Sequence, residues 1–481
     1  MGADFSIWTI IYYFVVVAFG IIILMEKKHP VKALAYIAAV FFIPFVGIIL
    51  YLVFGREYRK RKLYSRKGMM DEEQISLWRK NRIFQNSQRV EEWINQLKPF
   101  DKVAKLLYSD DQSLLSSSNK AEILINGEET FFRIFKDLEN AKIQIHLEYF
   151  IVEDGDLANK FADILIRKAA ENVAVRMIYD DIGSRKLSAS YIARLRKGGV
   201  AVFPFMPVKF IRFTDKINYR DHRKIVIVDG KIAYTGGINI SDRYINNGKN
   251  RVFWRDTQVR IVGEAVHSIQ LRFMLNWQFV CDTKCNLDMS FFPPVTPFTG
   301  IPMQVVSSGP DSDQPAMADM YALSCNLAQR KIAICTPYFV PPETIQRALI
   351  SAALSGVEVE IIIPRKSDSV FLDQANYSYI EEMLAAGVKI YLYKKGFIHA
   401  KVMVIDNFFS TVGTTNLDYR SFNIDFEINA VFYDHDTAAR LMEDFERDKN
   451  ESVELDYTQW KSRPFINRFK ESVARLLGPV L

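Results

Sequence analysis

Two short stretches carry the residues with the greatest chemical capacity in this chain: "RDHRKIVIVD" at 220–229 and "FIHAKVMVID" at 397–406. Each sets a histidine, a lysine two residues on and an aspartate five beyond that: His222, Lys224 and Asp229, then His399, Lys401 and Asp406. Residues two apart on a strand project to the same face, so each imidazole shares a side with its ammonium. The runs "IVIV" and "VMVI" are apolar on both faces, as a buried strand requires. Asp229-Gly230 and Asp406-Asn407 are turn-forming pairs, so the two aspartates are read as ending their strands and as the mainly structural members of each triplet.

The correspondence runs past the triplets. Gly236 and Asn239 follow Asp229 at the same offsets at which Gly413 and Asn416 follow Asp406. Further on, "FWRDTQVRIVGEAV" aligns with "NIDFEINAVFYDHDTA" and sets Asp256 opposite Glu427. One neutral imidazole of the two can attack phosphorus and form a phospho-histidine. The other, as imidazolium, can hand a proton to the departing alkoxide. An unperturbed histidine pKa of about 6.5 suits both tasks near neutral pH. The two lysines, with the amides of Asn239 and Asn416, would surround the phosphoryl oxygens. No metal and no other cofactor is expected, because the lysines supply the charge that Mg²⁺ supplies elsewhere. Asp256 and Glu427 are the carboxylates to hold each histidine's second nitrogen, fixing its tautomer. A lone His-x-Lys would be incidental; the duplication with matched flanks is what gives the pattern weight.

The elements that position these residues repeat as well. "KIQIHLEYF" (142–150) matches "KIAICTPYF" (331–339), "VAVRMIYDD" (173–181) matches "VEVEIIIPR" (357–365), and "GGVAVFPF" (198–205) matches "AGVKIYLY" (386–393). Helical patterns such as "LANKFADILIRKAAEN" and "ETIQRALISAALSG" alternate with them, which predicts an α/β fold with a sheet flanked by helices in each half. A chain of 481 residues exceeds one ordinary core, and 49% apolar with 25% charged residues describes a foldable protein. A net charge of +6 suits an anionic partner without choosing between lipid and nucleic acid. Cys281, Cys285, Cys325 and Cys335 are too few for a disulfide framework and are read as reduced thiols, consistent with a cytoplasmic catalytic region.

The N-terminus carries two uncharged stretches, 5–25 and 33–55, each long enough to cross about 30 Å of hydrocarbon as a helix. Pro44 and Gly47 are tolerable there because neighbouring helices re-satisfy the backbone. Asp4 stands where a signal peptide would be positive, and a second stretch follows, so a retained hairpin is expected. The basic run "REYRKRKLYSRK" (56–67) places the catalytic region in the cytoplasm by the positive-inside rule, although Lys27, Lys28 and Lys32 in the connection oppose it. That run would lie against an anionic membrane surface. "MGADFS" fits a myristoylation pattern formally, but two spans make an acyl anchor redundant. Residues 68–118 read as a helical connector. The expected division is 1–55 hairpin, 56–118 basic and helical connector, 119–290 first lobe and 291–481 second lobe.

H-x-K-x4-D followed by G-x2-N resembles the signature of the phospholipase D superfamily, and its duplication resembles that family's two-lobed fold. The resemblance implies that both motifs meet around one phosphodiester at the lobe interface, with His222 the usual nucleophile and His399 the acid; the residues alone leave that assignment open. Where the family often has serine after the glycine, this chain has Gly237 and Thr414, which removes the hydroxyl in the first copy only. Within the superfamily, the hairpin ending "IPFVGIILYLVFGRE", the segment "TPYFVPPETI" and the terminal "ARLLGPVL" resemble bacterial cardiolipin synthases over nearly the whole chain. That implies a multi-pass protein of the cell membrane that joins two phosphatidylglycerols and releases glycerol. Nucleic acid is not expected as a partner, and the oligomeric state is not legible. Tyr149-Phe150 and Tyr338-Phe339 are candidates to line the pocket, with core packing the alternative. A hydrolytic phospholipase, a membrane-anchored nuclease, a phosphatidylserine synthase and an inactive scaffold are the rival readings.

Overall fold

A computed structural model describes residues 7–25, 30–51, 94, 96–110, 113–208, 219–248, 252–281, 289–312 and 314–477. The chain divides into two units, Met1–Arg66 and Lys67–Leu481.

In the first unit α1 (Ile7–Met25) packs on α2 (Pro30–Phe42), and α3 (Pro44–Leu50) packs on α2. Proline lacks an N–H and disfavours helix at the residue before it; Ile43 accordingly leaves the helical region at φ −138° and ψ 70°. The second apolar stretch is therefore two helices of 13 and 7 residues, where one uninterrupted span was expected. Gly47 permits the fold-back, since a Cβ there would lie 2.4 Å from the Ala39 backbone. Tyr51 is buried between Phe19 and Tyr36, while Phe14, Leu24, Phe42 and Phe45 stand exposed. α1 is apolar throughout, but its side chains are described only from Tyr12. Among the described residues no helix is long and apolar enough to cross a membrane. The loop residues Lys27 and Lys28, the basic run 56–67, the connector's 68–93 and Cys285 lie outside the described residues, as does the side chain of Lys32.

Ahead of the lobes the second unit carries α4 (Asp101–Asp110). Its first lobe holds β1 (Asn119–Ile125), α5 (Asn126–Glu139), β2 (Gln144–Tyr149), α6 (Asp156–Ala170), β3 (Ala174–Asp180), α7 (Ala189–Lys197), β4 (Ala201–Phe205), β5 (Lys224–Val228), β6 (Ile232–Gly236), β7 (Phe253–Arg255), β8 (Thr257–Gly263) and α8 (Ala265–Cys281). The second lobe holds β9 (Met303–Ser308), α9 (Ala316–Leu327), β10 (Lys331–Cys335), β11 (Phe339–Val340), α10 (Glu343–Leu354), β12 (Glu358–Pro364), α11 (Val370–Ala385), β13 (Lys389–Tyr393) and β14 (Gly396–Ile398). It continues with β15 (Val402–Ile405), β16 (Phe409–Gly413), β17 (Leu417–Asp418), α12 (Tyr419–Asn423), β18 (Glu427–Tyr433), α13 (His435–Asn450), β19 (Ser452–Glu454), α14 (Tyr457–Lys461) and α15 (Phe465–Leu477).

The two main sheets share one order. The first runs β1-β8-β6-β5-β2-β3-β4 and the second β9-β18-β16-β15-β10-β12-β13, with β19 added at its edge. In each, three parallel strands carry the helical crossovers and the remainder are antiparallel, giving a mixed sheet. β5 and β15 occupy the same central place, and every residue of both is buried. α8 packs against strands of both sheets and buries His267, Gln270 and Asn276 along with its apolar residues, which is why it shows no separate polar face. The segment 68–118 reads as a connector, yet Phe100, just before α4, stacks on Phe409 of the second lobe at 5.0 Å, and Val103, Ala104 and Leu107 of α4 join the same cluster. Cys325 and Cys335 are buried free thiols.

Asp229 and Asp406 end their strands in the left-handed region, at φ 52° and 53°. Asp406 accepts the backbone N–H groups of Gln329, Arg330 and Lys331 at 2.7–2.9 Å, and Asp229 takes those of Lys142, Ile143 and Gln144. Each carboxylate thus pins the start of a neighbouring strand. Asp406→Ala is expected to lower the unfolding free energy by about 2–4 kcal/mol, through lost charge-assisted bonds and a left-handed alanine. Asp406→Asn should lose less than half of that in urea unfolding. A cost below about 1 kcal/mol for the alanine variant would refute the clamp.

Candidate active site

Each histidine is delivered by a strand entry that pairs with the opposite lobe. The backbone N–H of His222 donates to Phe426 O at 2.9 Å, and that of His399 to Arg255 O at 2.7 Å. β7 pairs in parallel with β14, and Asp221 bridges to Phe426, so two short cross-lobe ladders flank the site. Asp256 follows β7 directly and Glu427 opens β18. The consequence is a crosswise pairing. His222 Nδ1 lies 2.8 Å from Glu427 Oε1, and His399 Nδ1 lies 2.8 Å from Asp256 Oδ2. Both carboxylates are fully buried. An ionised carboxylate on Nδ1 places the proton there and leaves Nε2 with its lone pair.

The lysines sit beneath. Lys224 Nζ donates to His222 O, and Lys401 Nζ donates to His399 O at 2.7 Å. Lys401 Nζ also approaches His399 Nε2 at 3.0 Å, whereas among the described residues no protein group bonds His222 Nε2. Burial pushes Lys224 down to about 7 and Lys401 down to about 8, opposed by Glu427 and Asp256 respectively. Burial also holds both imidazoles well below 6.5, with the lysine charges adding to the effect. It lifts Asp256 to about 7 and Glu427 to about 8 against the pull of the same lysines. Removing six potential charges from water disfavours all of them, and an entering anion would reverse that for the lysines.

The remaining expected residues divide. Asn239 Nδ2 donates to Tyr244 Oη at 3.0 Å and its Oδ1 accepts from Ile151 N, so its amide serves the scaffold. Among the described residues Asn416 Oδ1 is buried without a hydrogen-bond partner. Asp229 and Asp406 lie at the far ends of β5 and β15, about 16 Å of strand from the lysines, and take no part in the site. The Thr414 hydroxyl donates to Glu427 Oε2 and accepts Ile428 N, so it orients the carboxylate rather than awaiting phosphate. Gly237, its counterpart, is forced: a Cβ there would meet Asp256 Oδ1 at 2.2 Å. Phe150 sets its ring against His222 at 4.8 Å, and Tyr338 faces Phe397, which lies beside His399. Tyr149 and Phe339 belong to the core.

Four neighbours escape the motif reading. Arg243 bears on His399 and Arg420 on His222, each lowering the imidazole's proton affinity from the opposite lobe. Each arginine lies the same distance after its own histidine (222 to 243, 399 to 420), a signal the repeat did contain. Tyr244 and Trp254 pack around His399 at 6.0 and 5.8 Å between ring centroids and have no second-copy equivalents.

Comparison with known proteins bears on this geometry. The family described as "Cardiolipin synthase, PLD-like domain" matches residues 134–270 and 324–449. A family described as "Phospholipase_D-nuclease N-terminal" matches 9–56. A cardiolipin synthase of Geobacillus sp. (strain WCH70) is 39% identical over 97% of this chain and 92% of its own length. Cardiolipin synthase 2 of Bacillus anthracis is 39% identical over 96% of this chain and 89% of its own. The crystal structure of phosphatidylserine synthase from Haemophilus influenzae Rd KW20 aligns with a TM-score of 0.60 at 15% identity, covering 79% of this chain and 100% of that one, which establishes shared fold alone.

The buried lysines give the site a pH signature. Affinity for tungstate, whose charge is constant in this range, should be highest below about 7 and fall as Lys224 and then Lys401 lose their protons. The fall should reach at least about tenfold per pH unit at the alkaline end. Calorimetric titration from pH 6 to about 9.5 checks it, and a flat profile would refute the assignment.

Proposed function

The chain belongs to the cardiolipin synthases, membrane-associated phosphatidyltransferases of the phospholipase D superfamily, and from that premise we propose that it joins two phosphatidylglycerols into cardiolipin and releases glycerol. The observation that carries the reading is the crosswise His–carboxylate pairing, which supplies two oriented imidazoles above two buried lysines.

His222 is the nucleophile in this reading. Its Nε2 is free of the ammonium that Lys401 sets against His399 Nε2. The Nε2 lone pair attacks phosphorus while the lysines neutralise the non-bridging oxygens. The bond from phosphorus to the terminal glycerol oxygen breaks, and protonated His399 gives that oxygen its Nε2 proton. Glycerol leaves, and the primary hydroxyl of a second phosphatidylglycerol replaces it. His399 takes the hydroxyl proton, the new P–O bond forms and the P–N bond breaks, restoring His222. Glu427 and Asp256 stabilise the positive imidazole at each stage. One phosphodiester is exchanged for another, so no nucleotide-activated donor is required.

The same reading places 1–55 in the cell membrane as a hairpin with lobes 119–290 and 291–481 on the cytoplasmic side of an anionic leaflet. The exposed apolar side chains of the first unit support it.

Full-length protein in vesicles containing phosphatidylglycerol should produce cardiolipin and glycerol without added nucleotide. Phosphatidic acid as the sole product would replace transfer with hydrolysis. His399→Ala should cut turnover by roughly 10²–10⁴ and accumulate acid-labile phosphoprotein, whereas His222→Ala should abolish both turnover and label. Labelling of both variants would move the nucleophile elsewhere.

A further inference from the structure

The last helix, α15, has the sequence FINRFKESVARLL and leaves an apolar face uncovered. Phe465, Phe469 and Leu476 are 73%, 53% and 80% exposed, with Ile466 and Val473 beside them. At about 100° per residue these five positions fall within an arc of about 100° on one side of the helix. Phe465 and Phe469 stack on each other at 6.1 Å, so the two rings hold one another on this face. The opposite side is tied down: Ala474 packs with Ala375 and Val340, and Arg475 pairs with Glu382 of α11. Glu471, the one acid of the helix, is buried in an ion pair with Arg463.

What remains at the edges of the apolar arc is basic. Arg468 and Lys470 flank it, both exposed. An apolar stripe edged by cations and the neutral Ser472 fits the boundary of an anionic bilayer, where the rings enter the acyl region and the cations meet headgroup phosphates. The helix is also coupled to the site. Ala474 packs on Ala375, one turn along α11 from the exposed Val370 and Phe371. Just before that end, Asp368 accepts the Tyr338 hydroxyl at 2.9 Å, and Tyr338 faces Phe397, the ring beside His399.

We propose that α15, together with Val370 and Phe371, is an interfacial lipid-binding surface that lies in the plane of an anionic bilayer and sets the histidine pair at headgroup depth. The choice of lipid as occupant rests on the lipid-transfer reading. The surface belongs to the second unit and acts on how that unit meets its substrate, not on whether the chain is held in the membrane.

The test uses the full chain in vesicles of equal parts phosphatidylglycerol and phosphatidylcholine. An environment-sensitive fluorophore is placed at Phe469→Cys in a Cys281→Ser, Cys285→Ser background. Brominated lipid should quench it, and replacing phosphatidylglycerol by phosphatidylcholine should weaken the quenching. The triple variant Phe465→Glu, Phe469→Glu, Leu476→Glu should lower turnover on vesicles by roughly tenfold yet leave turnover of monomerically dispersed short-chain phosphatidylglycerol unchanged. Leu354→Glu, an exposed leucine on α10, should change neither. Absence of quenching, or equal loss on dispersed and vesicular substrate, overturns the proposal. So does crosslinking of position 469 to a second copy without quenching. Quenching of the labelled chain, with the wild-type chain making no cardiolipin, would uphold the surface while removing the lipid-transfer reading.

Discussion

Each half of the catalytic unit holds the other half's histidine. Glu427 of the second lobe fixes His222, and Asp256 of the first fixes His399, both across 2.8 Å. The backbone repeats the exchange, because the chain entering each histidine hydrogen-bonds to the chain entering the opposing carboxylate. Neither lobe can assemble an oriented imidazole by itself. The sheets, the mostly buried α8 and the two cross-lobe ladders are what this one constraint requires of the fold.

Burial gives the pairing its electrical character. Two carboxylates, two ammonium groups and two imidazoles are withdrawn from water together, and every one is pushed towards its neutral form. Arg243 and Arg420 keep the surrounding field positive, again each from the lobe opposite the histidine it influences. Such a centre is poorly satisfied empty and gains when an anion arrives, since the anion restores to the lysines the stabilisation that solvent no longer supplies.

The repeat was legible because internal duplication leaves the same strand pattern twice; the shared strand order of the two sheets follows the paired segments one by one. Asp256 and Glu427 were visible as an aligned pair, but their exchange was not, since alignment carries no information about which imidazole each one meets. The role of the Thr414 hydroxyl was not legible, because a hydroxyl does not declare its acceptor; its partner, Glu427, is thirteen residues away in sequence. Gly237 read as a missing hydroxyl, whereas the closeness of Asp256 excludes any side chain there. The break at Pro44 does not show in the length of an apolar run, because length carries no information on the backbone geometry a proline imposes. The packing of α4 on the far lobe has no local sequence sign, because an amphipathic helix does not announce which core it covers.

That placement of α4 bears on how the protein is made. Leu97, Phe100, Val103, Ala104 and Leu107 share one cluster with Phe409 and its neighbours. Some three hundred residues separate Phe100 from Phe409 in the order of translation. At ribosomal speeds of about 5–20 residues per second, that greasy face waits roughly 15–60 seconds for its cover. During that interval the nascent chain carries an adhesive segment, and chaperones or the nearby bilayer are its available shelter.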